Sequence, residues 1–389
     1  GSMVEAGPDG RRARTACSNS RAMRIPYHNK ADGFTAALVL ALNQVRFCEL
    51  NACYPVIHWG AFPACKYAGV RFPGRTPFFD RAAGPNAFEY YFRPVCAGAA
   101  EPQQDTPQLT CEQREAVHRQ EPWAVRTYYY GVDDPKPPPG SNETDTYDDA
   151  WYSRHRREGH RLVRAYLRLK PRLAAELRRA EAQLLGAPVP PGAAADAEGG
   201  PPAGGEAAAT GRPVDAASKG DRAQQTPPRG EVLGVHLRGT DKGKYLASAA
   251  SGRPVPPREY EPYVDAFLRS HPNGTVFVAT DSPAFLAEVK TRWLQRWPGA
   301  PFRWREDILR SEANAAFDRR GVGGGTPPSN ARKGEEVLID ALLLARCDWL
   351  LHSASGVAEF AIYSNLRLHR RSVHLQYTRN RQHLPWMPR

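Results

Sequence analysis

The sequence predicts an α/β protein with two folded domains. Two stretches carry this prediction: a strand-turn-helix-strand order at residues 23–59, and an apolar strand at 232–235 that runs into a cluster of polar residues. Between them, residues 186–230 consist mainly of Ala, Gly and Pro and have too few bulky apolar side chains to bury a core. We therefore expect two folded units separated by a disordered insertion.

The first unit begins with a predicted strand near Met23 and a turn at 29–34. A helix follows over 35–50, because the run Ala36–Leu42 is almost wholly apolar, and residues 55–59 form the next strand. Strand, turn, helix and strand in this order make a βαβ unit. Residues 60–140 are rich in aromatics, Pro and Cys without clear periodicity, which is typical either of a loop-rich binding surface or of a small packed core.

Residues 151–185 predict one or two helices, since apolar residues recur there at helical spacing. We expect the arginines at 154, 156 and 157 either to lie on a solvated face or to steer an anionic ligand toward its site. In the 389-residue chain, the predicted divisions are a disordered or stem-like lead at 1–21, a first domain at 22–185, the insertion at 186–230, a second domain at 231–371 and a tail at 372–389.

The chain is basic, with 53 Lys and Arg against 41 Asp and Glu and a net charge of +12. The excess is nearly all arginine, 44 against 9 lysines, and Ala, Gly and Pro are also abundant, as in proteins from GC-rich genomes. There is no interleaved basic and aromatic array and no zinc-finger spacing, so we expect no nucleic-acid partner. The acidic stretch at 145–149 holds no Asp-x-Asp triplet, and we expect no metal site.

Six of the seven cysteines fall in the first third of the chain and do not form paired Cys-x-x-Cys elements. Disulfides in a secretory compartment fit this distribution better than zinc does. We expect at least two disulfides among Cys48, Cys53, Cys65, Cys96 and Cys111, and a buried, reduced Cys347. Glycosylation sequons begin at Asn142 and Asn273 and agree with a secretory lumen. No apolar run reaches the length of a membrane span, so a native anchor, if there is one, is expected to lie outside this chain.

The most informative stretch follows the strand Val232–Val235. At the carboxyl end of such a strand, His236 can hydrogen-bond, Arg238 and Lys242 can neutralise phosphate, and Gly239 lets the backbone come close to a ligand. Each residue alone is compatible with an ordinary charged turn. The group as a whole predicts a site for a nucleotide diphosphate.

The run His236-Leu237-Arg238-Gly239-Thr240-Asp241-Lys242 resembles the signature of the α1,6-fucosyltransferases and nodulation fucosyltransferases, which are related to the protein O-fucosyltransferases. Two further blocks follow in the same order as in those enzymes. Residues 276–283 are similar to their strand ending in Ala-Thr-Asp-x-Pro, and residues 335–356 to their last nucleotide-binding segment. The resemblance covers about residues 231–365.

This resemblance implies an α/β fold of two Rossmann-like domains that face each other across a cleft, the GT-B type of glycosyltransferase, and an inverting transfer of fucose from GDP-fucose to a glycan or glycoprotein acceptor. Together with the residues above, we expect no metal or other cofactor and a location in the secretory lumen, in the Golgi. The first domain then lies on the acceptor side, and the tail crosses back to it. The resemblance places His236 and Asp281 at the guanosine, Arg238 at the β-phosphate, and Ser355 with Gly356 at the diphosphate. Ser353 belongs to the same segment, and Ser353 or Ser355 is alternatively a helix N-cap.

The catalytic base is the weak point of the resemblance. The α1,6 enzymes carry a glutamate shortly after their Asp-Lys pair, whereas residues 243–246 hold no carboxylate. Asp32-Gly33-Phe34 resembles the Glu-Gly-Phe of one protein O-fucosyltransferase branch, so we predict Asp32 as the base, beside Gly33 and Phe34 as binding residues, unless Asp32 only caps the helix. Asp241 is the second candidate, unless it is a turn residue or a partner of Arg238. Another nucleotide sugar as donor, or a non-catalytic lectin-like or scaffold protein, remain the alternatives.

Overall fold

The computed structural model describes a mixed α/β protein over residues 17, 21–27, 33–60, 66–67, 70–71, 78–96, 106–119, 149–186, 230–239, 254–306, 308–310, 329–375 and 384–387. The strands are β1 (Ala22–Ile25), β2 (Tyr54–Ile57), β3 (Lys66–Tyr67), β4 (Val70–Arg71), β5 (Val232–Leu237), β6 (Thr275–Thr280), β7 (Phe302–Arg303), β8 (Trp349–His352) and β9 (Ser372–His374). The helices are α1 (Phe34–Leu50), α2 (Cys111–Arg119), α3 (Asp149–Tyr166), α4 (Pro171–Leu185), α5 (Glu261–Ser270), α6 (Pro283–Glu288, continued by a π-turn and a short α-turn to Arg296), α7 (Asn330–Leu344) and α8 (Gly356–Ser364).

The first half contains the predicted βαβ unit. Strands β1 and β2 pair in parallel, and α1 connects them. Helix α1 is apolar on most sides because it lies inside the core rather than on its surface; ten of its side chains from Phe34 to Val45 are buried. The βαβ prediction for residues 23–59 is therefore confirmed, with both strands starting one residue earlier than expected.

The helical stretch after residue 150 is two helices, α3 and α4. Pro171 occupies the first turn of α4, where a missing N–H costs nothing, and it prevents α3 from continuing through this point. Gly186 ends α4 in the left-handed conformation, with φ of 67°. The helical spacing in the sequence thus indicated the buried side correctly, while the proline decided the number of helices.

The second half is a five-stranded parallel sheet in the order β7-β6-β5-β8-β9. The chain starts at the central strand β5, moves outward through β6 and β7, and then returns to the other side for β8 and β9. Residues 372–374, predicted as part of a tail that crosses back, instead form the edge strand beside β8. Leu384 and Trp386 pack in the core on one face of the same sheet.

The two faces of this sheet are covered by different partners. Alternate residues of β5, such as Leu233 and Val235, pack in a core with α5 and α6. The other face packs against α7, where Gly234 lies beside Cys347, and the core on this side continues into the first half of the chain.

The two halves are joined by close helix packing. Helices α1 and α3 contact α8, and α1 and α4 contact α7. A Cβ on Gly334 would lie 2.3 Å from the Tyr91 hydroxyl, which itself donates to the Ala331 carbonyl at 2.8 Å. A Cβ on Gly159 would lie 2.7 Å from the Tyr363 ring. Both glycines are therefore required by the packing between the halves.

The cysteines differ in part from the expectation. Cys17 pairs with Cys96, and Cys111 is also disulfide-bonded. Cys48 and Cys53 are buried free thiols, so the expectation was wrong for both; they lie side by side at the end of α1, inside the core. Cys347 is buried and free, as predicted. Cys65 lies outside the described residues. Among the described helices, none combines the length and the apolar character that crossing a bilayer requires.

Candidate functional site

The strand order fixes where a ligand is expected. From β5 the chain adds strands on one side of the sheet, through β6 and β7, and then on the other side, through β8 and β9, so the switch point lies between β5 and β8. In open parallel sheets, ligands usually bind at such a switch point, in a crevice at the carboxyl ends of the strands. His236 and His352 are register partners at this edge. Neighbouring strands lie about 4.8 Å apart, so the residues that follow β5 and β8 border one crevice.

Arg238 follows β5 directly and is held by Asp281, which follows β6. The Arg238 Nε lies 3.2 Å from Asp281 Oδ2, and the Gly239 N–H donates to Asp281 Oδ1 at 2.8 Å. Both side chains stay partly open to solvent, with 19% and 27% exposure. One carboxylate therefore fixes both the arginine and the backbone turn next to it, at the carboxyl end of the sheet.

Gly239 is dictated by the same turn. A Cβ at this position would lie 2.4 Å from the Ser282 Cβ and 3.1 Å from the Phe285 ring, so only glycine lets the turn pack onto the start of α6. Ser282 caps that helix by accepting from the Phe285 N–H. Gly239 thus lets the turn approach the side chains of Ser282 and Phe285, which is a different reason from the one the sequence indicated.

On the other side of the crevice, Ser355 is the N-cap of α8. Its hydroxyl accepts from the Val357 N–H at 3.2 Å, so the capping alternative for this serine is confirmed. The first N–H groups of a helix lack helical acceptors and carry a partial positive charge, which makes a helix start suited to an anion. Gly356 lies at this start and follows β8, the strand next to β5, after which Arg238 comes.

Tyr260 ties the two sides together and was not singled out in the sequence. Its hydroxyl donates to the His236 carbonyl at 3.2 Å and accepts from the Ser353 side chain. Burial raises the pKa of this hydroxyl further above its ordinary value, so it remains a donor even in alkaline solution. Because Tyr260 precedes α5 in an irregular 3₁₀ turn, no periodicity in the sequence could reveal it.

Three histidines stand in one row beneath the crevice. His236, His352 and His374 are register partners across β5, β8 and β9 and therefore point to the same face of the sheet. The rings of His352 and His374 are 4.9 Å apart, and His352 Nδ1 lies 3.1 Å from the Ser353 carbonyl. Burial lowers the pKa of His352 well below its usual value, and the nearby His374 and Arg156 lower it further.

This buried row predicts an acid-sensitive fold. With its pKa lowered in the folded state, His352 stays neutral there but binds a proton in the unfolded chain below about pH 6.5. Stability should therefore fall as the pH drops below that value, by up to about 1.4 kcal/mol per pH unit for this one proton. Urea unfolding at a series of pH values measures the slope, and His352→Gln should flatten it. Equal slopes for the two proteins would contradict the assignment.

The sequence predicted that Arg156 lies on a solvated face or steers an anionic ligand, but the structure places it in the interior. It is buried and pairs with Glu359 in the first turn of α8, through Nε at 3.1 Å and Nη2 at 2.6 Å, while its Nη1 lies 3.1 Å from His369 Nδ1. Helix α3 of the first half thus holds the helix whose start borders the crevice. Arg157, the next residue, is exposed as expected.

The remaining predicted site residues divide into two groups. Asp32, Asp241 and Lys242 lie outside the described residues. Gly33 precedes α1 in an extended conformation, and no atom of the described residues lies within 4 Å of where its Cβ would be. The Phe34 ring is buried and packs edge-on against Tyr91 and other aromatic rings, so the ring offers no free surface. Within the described ranges, no group of three or more His, Cys, Asp or Glu side chains is arranged to hold a metal.

Comparison with known proteins gives matches among solved structures alone. No family model matches the chain, and no curated protein does. A crystal structure of NodZ α-1,6-fucosyltransferase soaked with GDP-fucose matches with a TM-score of 0.40 and 14% identity, over 91% of this chain and 94% of that one. NodZ co-crystallised with GDP matches with a TM-score of 0.39 and 14% identity, over 92% of this chain and 95% of that one. The selenomethionine fucosyltransferase NodZ from Bradyrhizobium matches with a TM-score of 0.40 and 14% identity, over 92% of this chain and 95% of that one.

Proposed function

We propose that the protein is an inverting, metal-independent glycosyltransferase of the GT-B type that transfers fucose from GDP-fucose to a hydroxyl of a glycan or glycoprotein. The observation that carries this proposal is that Arg238 follows β5 and the start of α8 follows the neighbouring strand β8, at the switch point of the sheet. A cation and a helix start together suit a diphosphate. The three sequence blocks that resemble fucosyltransferases favour guanosine and fucose over other nucleotide sugars.

Transfer with inversion needs a stabilised leaving group and a base for the acceptor hydroxyl. In this proposal Arg238 and the α8 start receive the charge that develops on GDP as the bond from fucose breaks. Asp281 keeps Arg238 in place, and in this proposal its carboxylate also accepts a hydrogen bond from the guanosine. The acceptor approaches from the α1 side, where the space around Gly33 is open.

A panel of nucleotide sugars tests the donor. GDP-fucose, GDP-mannose, UDP-galactose and GDP alone are compared by thermal shift, and each binder is then assayed for hydrolysis and transfer, with and without EDTA. We expect a shift with GDP and GDP-fucose, and turnover that EDTA leaves unchanged. A larger shift with a UDP-sugar would assign another donor. Binding without hydrolysis or transfer would favour the non-catalytic alternative, which the lack of a carboxylate at 243–246 supports.

For the base, Asp32→Asn should cut transfer roughly a hundredfold or more while donor binding stays unchanged, as expected for the loss of a general base. The amide keeps the shape of the side chain and its ability to cap a helix. Asp241→Asn is the matched variant on the second half of the chain. Normal transfer by Asp32→Asn together with an inactive Asp241→Asn would move the base to Asp241.

A further inference from the structure

Asn273 stands in a well-defined surface turn between α5 and β6. The Gly274 N–H donates to the His271 carbonyl at 2.8 Å, which closes a four-residue turn with Pro272 and Asn273 at its centre. Proline is favoured at the second position of such a turn, and both central residues are exposed. The amide of Asn273 is therefore presented to solvent by a rigid part of the chain.

The residues that follow complete an acceptor motif for N-linked glycans, Asn273-Gly274-Thr275, with a non-proline residue in the middle. Gly274 is required by packing, because a Cβ there would lie 2.8 Å from the Phe267 ring and 2.9 Å from the His271 carbonyl. Thr275 is the first residue of β6 and is half-buried. The motif therefore lies on an ordered turn that can carry a bulky group outward without disturbing the core.

The position of this turn separates it from the crevice. Asn273 precedes the amino end of β6, whereas Asp281 follows the carboxyl end of the same six-residue strand. The two ends are about 17 Å apart at the usual rise per residue. A glycan on Asn273 therefore projects from the edge of the sheet opposite the crevice and leaves the proposed donor and acceptor access open.

The disulfides supply an independent indication of the compartment. Cys17 is bonded to Cys96 across 79 residues, and Cys111 is also disulfide-bonded. Such bonds form and persist in the oxidising secretory lumen, where asparagine-linked glycosylation takes place, and are rare in the cytosol.

We propose that Asn273 is an N-glycosylation site. The donor is an oligosaccharide linked to a lipid through a diphosphate. In the transfer, the Asn273 side-chain nitrogen forms a bond to C1 of the first sugar, the bond from C1 to the diphosphate oxygen breaks, and the lipid diphosphate leaves with the electron pair while the nitrogen gives up one proton. The proposal is independent of the reaction assigned to the crevice.

The test is secretion of the full chain from cultured animal cells, followed by peptide mapping of the protein recovered from the secretory pathway. Treatment with peptide N-glycosidase in ¹⁸O water converts a glycosylated Asn273 to labelled aspartate, which distinguishes this position from Asn142. We expect labelling at Asn273 in the wild type and in Thr275→Ser, and loss of one glycan from Asn273→Gln. The near-isosteric Thr275→Val should lose the same glycan, because only the hydroxyl is removed. An unmodified Asn273 in folded, disulfide-bonded protein overturns the proposal.

Discussion

Arg238→Ala should lower the rate of transfer from GDP-fucose by about a hundredfold to a thousandfold while leaving the protein folded. The side chain is partly exposed and pairs with Asp281 at 3.2 Å, so its removal opens no cavity in the core. In the proposed reaction, however, it neutralises the leaving diphosphate, and a preorganised donor of this kind commonly contributes about 3–4 kcal/mol to the transition state. Steady-state kinetics, with circular dichroism to confirm folding, measure both effects.

Two matched variants separate charge from geometry. Arg238→Lys keeps the positive charge but loses the planar fork that binds two oxygens at once, so it should retain only part of the activity. Asp281→Asn removes the carboxylate that orients Arg238 and accepts from Gly239, and it should raise KM for the donor more than it lowers kcat. Near-native transfer by a folded Arg238→Ala protein would refute the assignment of Arg238 to the diphosphate.

Arg156→Met should destabilise the fold by about 3–5 kcal/mol, because it leaves the carboxylate of Glu359 buried without its partner. The pair is almost fully enclosed, with side-chain exposures of 9% and 2%. It connects α3 to the first turn of α8, so its loss also frees the helix start that borders the crevice. Chemical denaturation of the purified variant gives the change in the free energy of unfolding.

Arg157→Met is the control for this prediction, since Arg157 lies on the same helix but is exposed and should change stability by less than about 0.5 kcal/mol. In the double variant Arg156→Met/Glu359→Leu, no unpaired charge remains, and most of the lost stability should return. Equal stability of Arg156→Met and Arg157→Met would show that the buried pair contributes nothing.

The elements that repeat a local pattern were predictable. Strand β6 ends at Thr280, within the block 276–283 that was compared to a strand followed by a turn, and α1 and the strands around it lie within one or two residues of their predicted bounds. These segments are long and strongly apolar, so burial of their side chains selects the structure that the spacing indicates. Helix α8 could be placed as well, because Ser355 provides an N-cap directly before an apolar run.

Contacts between distant segments were not predictable. Arg156 looked like one of several surface arginines, yet its partner Glu359 is 203 residues away. Tyr260 had no motif around it, and it bridges His236 and Ser353 only because β5 and β8 are neighbours. Likewise, Cys17 forms a disulfide with Cys96, while Cys48 and Cys53 remain thiols, because of which segments fold against each other.

The sequence by itself determined three local features: the βαβ unit, the buried strand β5 with the polar residues that follow it as far as Gly239, and the cap of α8. It did so because periodicity, capping and turn chemistry act over a few residues. Only the tertiary structure decided that β8 returns beside β5, so that the residues after these two strands lie at the same end of the sheet, and that Arg156 is buried to hold α8 from the other half. The physical reason is that strand order and ion pairing are settled by burial of the whole chain, which no single segment encodes.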